Sequence, residues 1–239
     1  MRAGAITAIE RRITDYAAAA ENVGKMWMRT DLIFPVVKSV TQYSVCAWAA
    51  SENLGTARRA LAACGTQAAG LCMGGTTGSV SAVTEEYDGA AWGAGGNLGT
   101  AQRGLAGCGT QTAGLCMGGD TGSTAWSAVT EEYSGTAWSA GGAMIVARRN
   151  LGGCGRVDGA LCVGGENASS YQALTEEYNG EAWVNGAALN TARSELAAGG
   201  SNIAGFACGG NTGSVSAVTE NYAQASVAYL VRAIETDPA

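Results

Sequence analysis

Short apolar runs separated by glycine-rich turns repeat along this chain. In the segment 54–75, LGTARRALAACGTQAAGLCMGG, one run extends from Arg59 to Cys64 and a second from Ala68 to Met73. A third run, Ser81 to Tyr87, alternates between its two faces and then meets an Asp-Gly turn before Trp92. Alternation over such short lengths, bounded by turn residues, predicts four β-strands and no helical period.

This unit occurs four times in register, over residues 49–92, 93–138, 139–183 and 184–227. A tyrosine precedes a tryptophan by five residues at 43–48, 87–92, 133–138 and 178–183, and successive tryptophans lie 44, 46 and 45 residues apart. Each copy also carries a double glycine. Four strands with these markers in about 45 residues are typical of a β-propeller blade.

The markers resemble those of the Kelch repeat family. The shared features are the double glycine Gly74-Gly75, the later Tyr87 and Trp92, and the Thr-Ala-Arg tripeptides at 56–58 and 191–193. More narrowly, the Asn-Leu-Gly-Thr-Ala and Glu-Glu-Tyr-x-Gly-x-x-Trp segments resemble Kelch-like repeats of bacteriophage tail and virion proteins. The chain departs from the pattern at Gln102, which replaces the arginine, and at Val227, which replaces the tryptophan.

The resulting expectation is an all-β protein: a Kelch-like β-propeller of four to five four-stranded blades over residues 23–239, with a short N-terminal helix. Residues 24–48 contain three further strand-like runs and lack a first strand. We expect residues 228–236 to complete that partial blade and close a five-bladed ring, because closure removes exposed sheet edges. The alternative is four blades with a separate N-terminal hairpin.

The N-terminal segment 1–22 has a different pattern. Ile6, Ile9, Ile13 and Tyr16 follow the a/d spacing of a coiled coil. Isoleucine at both positions favours trimers, but two heptads are too short to be stable alone. The segment is therefore predicted to be a helix that either docks on its own propeller or forms a homotrimer.

Composition excludes several classes of function. The chain has no histidine and therefore no histidine base, dyad or imidazole ligand. Its eight cysteines contain no C-x-x-C spacing, so neither a metal nor another cofactor is expected. A net charge of -6 with two lysines argues against nucleic acid as a partner. No apolar run approaches the ~18 residues needed for membrane insertion.

Six of the cysteines repeat at a spacing of eight, as Cys64 and Cys72 do in the first unit. A two-residue turn at Thr66-Gln67 places Cys64 opposite Ala69 and Cys72 opposite Leu61, so the two thiols are not expected to be cross-strand partners. We interpret these residues as small buried hydrophobes. Cysteines in this role are expected in a protein that is synthesised in a reducing compartment.

Paired glutamates, such as Glu85 and Glu86, cannot act jointly on one substrate atom, because adjacent strand residues point to opposite faces. A structural role is expected instead. The predicted ion pairs join arginines before the first strand to glutamates of the third strand, and the fourth unit changes both positions together, to Ser194 and Asn221. The expected structural residues are Arg59, Arg103, Arg149, Glu86, Glu132, Glu177 and the repeated Trp92, Trp138 and Trp183.

Two aromatic residues interrupt the repeat. Trp126 lies in an insertion of the second unit and Tyr171 in an insertion of the third. Aromatic side chains in rim loops suit stacking on sugars or contact with another protein. Trp126 and Tyr171 are therefore the candidate ligand-binding residues.

These observations predict a protein without catalytic residues. The resemblance implies a virion structural or binding protein, made in the host cytoplasm, such as a bacteriophage tail fibre or tail-associated module. Its expected partners are other virion proteins and host-surface glycan. The alternatives are a purely architectural virion protein and, least favoured, a propeller enzyme, since copper oxidases of this fold need histidine ligands and sialidases need Asp-box loops.

Overall fold

A computed structural model describes residue 48 and residues 50–122 and 126–224, and this part of the chain contains fifteen β-strands and no helix. The first sheet comprises β1 (Ala62–Thr66), β2 (Ala69–Met73), β3 (Thr84–Tyr87) and β4 (Trp92–Ala94). The second comprises β5 (Ala106–Thr110), β6 (Ala113–Met117), β7 (Thr130–Tyr133) and β8 (Trp138–Ala140). The third comprises β9 (Gly152–Arg156), β10 (Gly159–Val163), β11 (Thr175–Tyr178) and β12 (Trp183–Asn185). The fourth comprises β13 (Ala197–Gly200), β14 (Ala204–Cys208) and β15 (Thr219–Ala223).

Each sheet is an antiparallel meander whose strands pair in chain order, and the four sheets are the blades of a β-propeller. We call them blades 1 to 4. The first strands β1, β5, β9 and β13 contact one another in succession. The all-β prediction and the count of four repeated blades are thus confirmed, with element boundaries shifted by up to three residues. For blade 4, three strands lie in the described part of the chain.

Several predictions concern residues outside the described ranges. These are the helix at 1–22 with its homotrimer, the partial blade at 24–48 and the closing strand at 228–236. The number of blades beyond four therefore stays a prediction. Within the described ranges, no helix is long and apolar enough to span a membrane.

The hairpin between β1 and β2 differs from the predicted register. Its turn residues are Gln67 and Ala68, so Thr66 pairs with Ala69 and Cys64 with Leu71. Gly65 allows this extra pair: its φ is +97°, and a Cβ there would lie 2.2 Å from the carbonyl oxygen of Ala69. The predicted register was wrong, but Cys64 and Cys72 are indeed not directly opposite.

Backbone hydrogen bonds join each blade to the next just before the first strand. Gly104 donates its N–H to the carbonyl of Ala60 (2.8 Å), Asn150 donates to Gly104 (2.7 Å), and Glu195 donates to Asn150 (2.8 Å). All four residues have positive φ. One equivalent residue per blade thus forms a continuous chain of hydrogen bonds across the blades.

The double glycine provides a second backbone link. Gly119 has φ +110° and donates its N–H to the carbonyl of Arg148 at 2.9 Å. A Cβ on Gly118 would lie 2.7 Å from that same carbonyl oxygen. Any side chain at this position would separate the blades, which explains why the glycine pair recurs in every repeat.

The core lies between the blades and is built largely from small and sulfur-containing side chains. Leu71, Leu115 and Leu161 are completely buried. Five of the seven described cysteines, Cys72, Cys108, Cys116, Cys154 and Cys162, are buried, and all seven are free thiols. Their interpretation as small buried hydrophobes is confirmed for these five. Burial raises the pKa of the Cys64 thiol to about 12, with a further contribution from Cys72.

Candidate contact site at one rim of the blades

The residue that follows each double glycine forms two isolated β-bridges, one to the residue before the first strand and one to the following loop. Asp120 bridges in this way to Trp126, and Glu166 bridges to Tyr171. The two aromatic insertions singled out in the sequence therefore occupy equivalent places in blades 2 and 3. We call the group Arg103, Asp120, Trp126, Arg149, Glu166 and Tyr171 the rim cluster.

Arg149 connects the two blades within the rim cluster. Its Nη1 lies 2.7 Å from Asp120 Oδ2 and its Nε lies 2.9 Å from Glu166 Oε1. Its guanidinium carbon also lies 4.1 Å from the centroid of the Trp126 ring. This distance is within the range of a cation–π contact. One side chain thus fixes both carboxylates and one of the aromatic rings.

Asp120 is the buried acid of the rim cluster. Its carboxylate accepts the Gly122 N–H at 2.6 Å and lies 3.3 Å from Arg103 Nη2. Burial opposes ionisation, but the Gly122 hydrogen bond and the two arginines outweigh it and hold the pKa of Asp120 below its usual value. Asp120 is therefore an ionised acceptor, fixed by neighbouring charges.

The predicted pairing of arginines with third-strand glutamates was wrong. Arg103 and Arg149 pair with Asp120 and Glu166 at the rim, and the exposed Arg59 forms no ion pair with another described residue. Their predicted partners Glu86, Glu132 and Glu177 instead accept hydrogen bonds from Tyr133, Tyr178 and Tyr222 of the following blade. These arginines precede the first strand and point along the rim, whereas the glutamates lie inside an interface between blades.

The arginine–glutamate pairs that the structure contains are offset by one residue from the predicted ones. Arg148 pairs with Glu176, and both side chains are fully buried. Glu176 also accepts the backbone N–H groups of Ile145 (2.7 Å) and Val146 (3.3 Å), so it fixes the loop that enters its blade. Arg58 with Glu85 and Arg193 with Glu220 repeat this arrangement. The recurring Thr-Ala-Arg tripeptide was the signal that could have identified them.

Blade 2 has a glutamine at this position. The side chain of Gln102 is fully buried, and neither its oxygen nor its nitrogen has a hydrogen-bond partner within the described residues. Glu131 still accepts the N–H groups of Gly99 (2.7 Å) and Thr100 (2.9 Å). Blade 2 therefore keeps the hydrogen bonds between its glutamate and its loop, but it has no arginine to pair with that glutamate.

The paired glutamates face opposite sides, as predicted from strand geometry. Glu85 binds Gly55 and Arg58 of its own blade, while Glu86 accepts from Tyr133 of the next. The tryptophans lie at the blade interfaces: Trp183 donates Nε1–H to Thr130 Oγ1 and Trp138 donates to Thr84 Oγ1, both at 2.9 Å. Trp92 is half-buried at the outer strand of blade 1.

The rim cluster has the chemistry of a contact surface. Trp126 and Tyr171 are half-buried and lie beside the carboxylates and the guanidinium groups, and the buried Nε1 of Trp126 has no hydrogen-bond partner among the described residues. Aromatic faces with adjacent polar groups can stack on apolar sugar faces and bond their hydroxyls. Within the described ranges, no three cysteine, aspartate or glutamate side chains are grouped to hold a metal ion. No protein-family model and no curated protein matches the chain in sequence.

Proposed function

We propose that this chain is a non-catalytic virion protein, a Kelch-like module of a bacteriophage tail fibre or tail-associated protein. In this proposal, the rim cluster contacts host-surface glycan or a neighbouring virion protein. The observation that carries the proposal is that Trp126 and Tyr171, the two aromatic insertions of the repeat, are bridged to Asp120 and Glu166, which both pair with Arg149. The resemblance of the repeats supplies the virion context.

The geometry of the rim cluster supports recognition by rigid rings. Arg149 is fixed by two carboxylates and lies against Trp126, so the indole is held before any ligand arrives. A preorganised aromatic side chain loses little conformational entropy on binding. This is an advantage for weak sugar contacts, which gain affinity from several copies acting together.

A glycan array and a whole-cell binding assay with the purified full chain test the proposal. Trp126→Ala and Tyr171→Ala are expected to abolish saturable binding. Val215→Ala is the matched control, because Val215 occupies the equivalent bridged position in blade 4 and is 97% exposed. Binding that survives both aromatic substitutions, or that Val215→Ala removes equally, would refute the assignment of the site.

The second candidate is a purely architectural virion protein without a receptor role. One observation favours it: the charges of the rim cluster neutralise one another, with Arg149 bound to both Asp120 and Glu166. In that case the folded protein binds neither glycan nor cells, and it co-assembles with other virion proteins. Loss of that assembly in Trp126→Ala would then place the protein contact at the rim cluster.

A further inference from the structure

Three of the four blades place an arginine side chain in the same buried polar site. In blade 3, Arg148 Nη1 donates to Glu176 Oε1 and, at 3.3 Å, to the carbonyl of Val146. Its Nη2 donates to the carbonyl of Cys162 at 3.5 Å. The arginines of blades 1 and 4 reach the equivalent carbonyl of the second strand at 3.4 and 3.3 Å. The site is therefore a group of oxygen acceptors, one of them a carboxylate, around a cationic group.

Blade 2 keeps these acceptors but has no arginine among them. Cys116 and Glu131 are register partners in β6 and β7, as their counterparts are in blade 3. The Thr100 N–H bonds the Glu131 carboxylate at 2.9 Å, so the carbonyl of Thr100 takes the place of that of Val146. Glu131 is 4% exposed and forms no ion pair with any residue in the described ranges. A carboxylate that is buried without a cation carries a large free-energy cost.

The side chain of Gln102 starts from the backbone position that Arg148 occupies in blade 3. Each residue donates its N–H to a serine carbonyl of the preceding blade, Gln102 to Ser81 and Arg148 to Ser127, both at 3.2 Å. Glutamine is shorter than arginine, so its amide ends before the place where guanidinium nitrogens meet the acceptors. The amide is fully buried, and neither its oxygen nor its nitrogen has a hydrogen-bond partner in the described part of the chain. A buried amide without partners calls for a bound water or ion, and the unpaired charge of Glu131 favours an ion.

We propose that blade 2 binds one monovalent alkali-metal cation, potassium or sodium, in place of the guanidinium group. Its ligands are the carboxylate of Glu131, the amide oxygen of Gln102 and the carbonyls of Thr100 and Cys116. Carbonyl oxygens can replace the hydration shell of such an ion, and one carboxylate balances its single charge. The sequence argues against metals bound by histidine or cysteine, but oxygen ligands select a different class of ion. This cation site is separate from the rim cluster and does not depend on its function.

The first test is thermal unfolding of the full chain in potassium chloride, sodium chloride and tetramethylammonium chloride. Equal ionic strength keeps the screening of surface charges constant, and tetramethylammonium is too large for the site. The midpoint is expected to be about 5 °C higher with the preferred alkali cation than with tetramethylammonium, and to rise saturably as that cation is titrated. Equal midpoints in the three salts would overturn the proposal.

Two variants locate the cation. Gln102→Arg is expected to have the same midpoint in all three salts, because its guanidinium group occupies the site as it does in the other blades. Gln67→Arg is the matched control, since it makes the same change of charge at the exposed hairpin turn of blade 1 and should keep the wild-type difference between salts. A difference that persists in Gln102→Arg would place the cation elsewhere and overturn the site.

Crystals of the full chain grown in rubidium chloride show the ion directly. Rubidium substitutes for potassium and scatters anomalously, so an anomalous difference peak is expected beside Glu131 and Gln102. The peak should be missing in Gln102→Arg. Density at this place without an anomalous signal would identify a water molecule instead and would overturn the proposal.

Discussion

Tyr178 of blade 3 donates its phenolic hydrogen to Glu132 of blade 2, with an oxygen–oxygen distance of 2.5 Å. The same hydroxyl accepts the N–H of Gly142 at 3.3 Å, so one side chain joins a strand and a loop of the preceding blade to its own. Tyr133 with Glu86 and Tyr222 with Glu177 form the same bond at the other interfaces. The blades are therefore held in register by one repeated charge-assisted hydrogen bond.

A double-mutant cycle on this pair should show coupling. Tyr178→Phe and Glu132→Gln are each expected to lower the free energy of unfolding, with a coupling energy of about 2 kcal/mol, because a hydrogen bond to a charged group is stronger than a neutral one. The measurement is urea denaturation of the four proteins. Tyr87→Phe is the control, since among the described residues the Tyr87 hydroxyl bonds only the exposed hydroxyl of Ser51, at 2.5 Å, and an effect as large there would contradict the role of the glutamate.

The buried pair of Arg148 and Glu176 should contribute more to the free energy of unfolding than any exposed ion pair. Arg148→Gln leaves the fully buried Glu176 carboxylate without its cation, and the expected loss is about 3 kcal/mol of unfolding free energy. Arg156→Gln removes an exposed pair with Asp158 and should leave stability nearly unchanged. Chemical denaturation compares the two, and equal effects would rule out a special role for the buried pair.

Gln102 offers the reverse experiment. Gln102→Arg introduces in blade 2 the side chain that the other three blades use, beside Glu131, which has no arginine to pair with. We expect stabilisation by about 1 kcal/mol, because the unsatisfied amide is replaced by a group that can bond the carboxylate. A thermal melt against Gln102→Ala, which only removes the amide, separates the new ion pair from relief of the buried polar group. If Gln102→Ala stabilises the protein as much as Gln102→Arg does, the predicted ion pair with Glu131 is wrong.

The sequence predicts local features of this fold well and partners between blades poorly. The strands and the opposite faces of Glu85 and Glu86 follow from the period of two, which acts over a few residues, whereas the turn between β1 and β2 lies one residue later than predicted. Arg103 was assigned to Glu132 because both recur in the repeat, but recurrence does not say which blade a side chain faces. Only part of the rim cluster could be predicted. Trp126 stands out in the sequence because it breaks the repeat, whereas Asp120 occupies a position that every repeat has and differs from its counterparts only in residue type.

Alkaline pH should destabilise the fold. Burial, and for the tyrosines the adjacent glutamates, raises the pKa of Tyr178 and Tyr222 to about 12, and burial raises that of Cys64 and Cys162 to about 12. In the unfolded chain these groups lose their protons near pH 9 to 10. Between about pH 9 and 12 the unfolded state therefore binds fewer protons, and stability falls as pH rises.

Denaturation by urea at a series of pH values measures this dependence. Tyr178→Phe should flatten the decline above pH 10, and Cys64→Ala should flatten it from about pH 9, because each removes one group whose pKa differs between the two states. Asp88→Asn is a control without effect in this range, since the pKa of Asp88 is lowered by the Ala91 and Ala90 N–H groups. A slope that neither substitution changes would assign the decline to other groups.

Removal of the C-terminal segment tests the predicted closing strand. Within the described ranges, β15 pairs on one side only, with β14, whereas the third strand of each other blade pairs on both sides. Phe206 and Ile203 of blade 4 are 44% and 55% exposed, while Leu161, the counterpart of Phe206, is fully buried. A strand edge beside exposed apolar side chains is the place where a further strand would pair. Deletion of residues 227–239 is therefore expected to lower the thermal midpoint by roughly 5–10 °C, in keeping with the loss of about 2–3 kcal/mol.

Deletion of residues 237–239 alone provides the control, because it leaves the predicted closing strand 228–236 in place. We expect this shorter truncation to melt like the full chain, as measured by calorimetry. If the longer deletion also leaves the midpoint unchanged, the segment contributes neither a fourth strand to blade 4 nor a closing strand, and the five-bladed ring is excluded. If both deletions destabilise equally, the stabilising contact lies in the last three residues and the strand prediction is wrong.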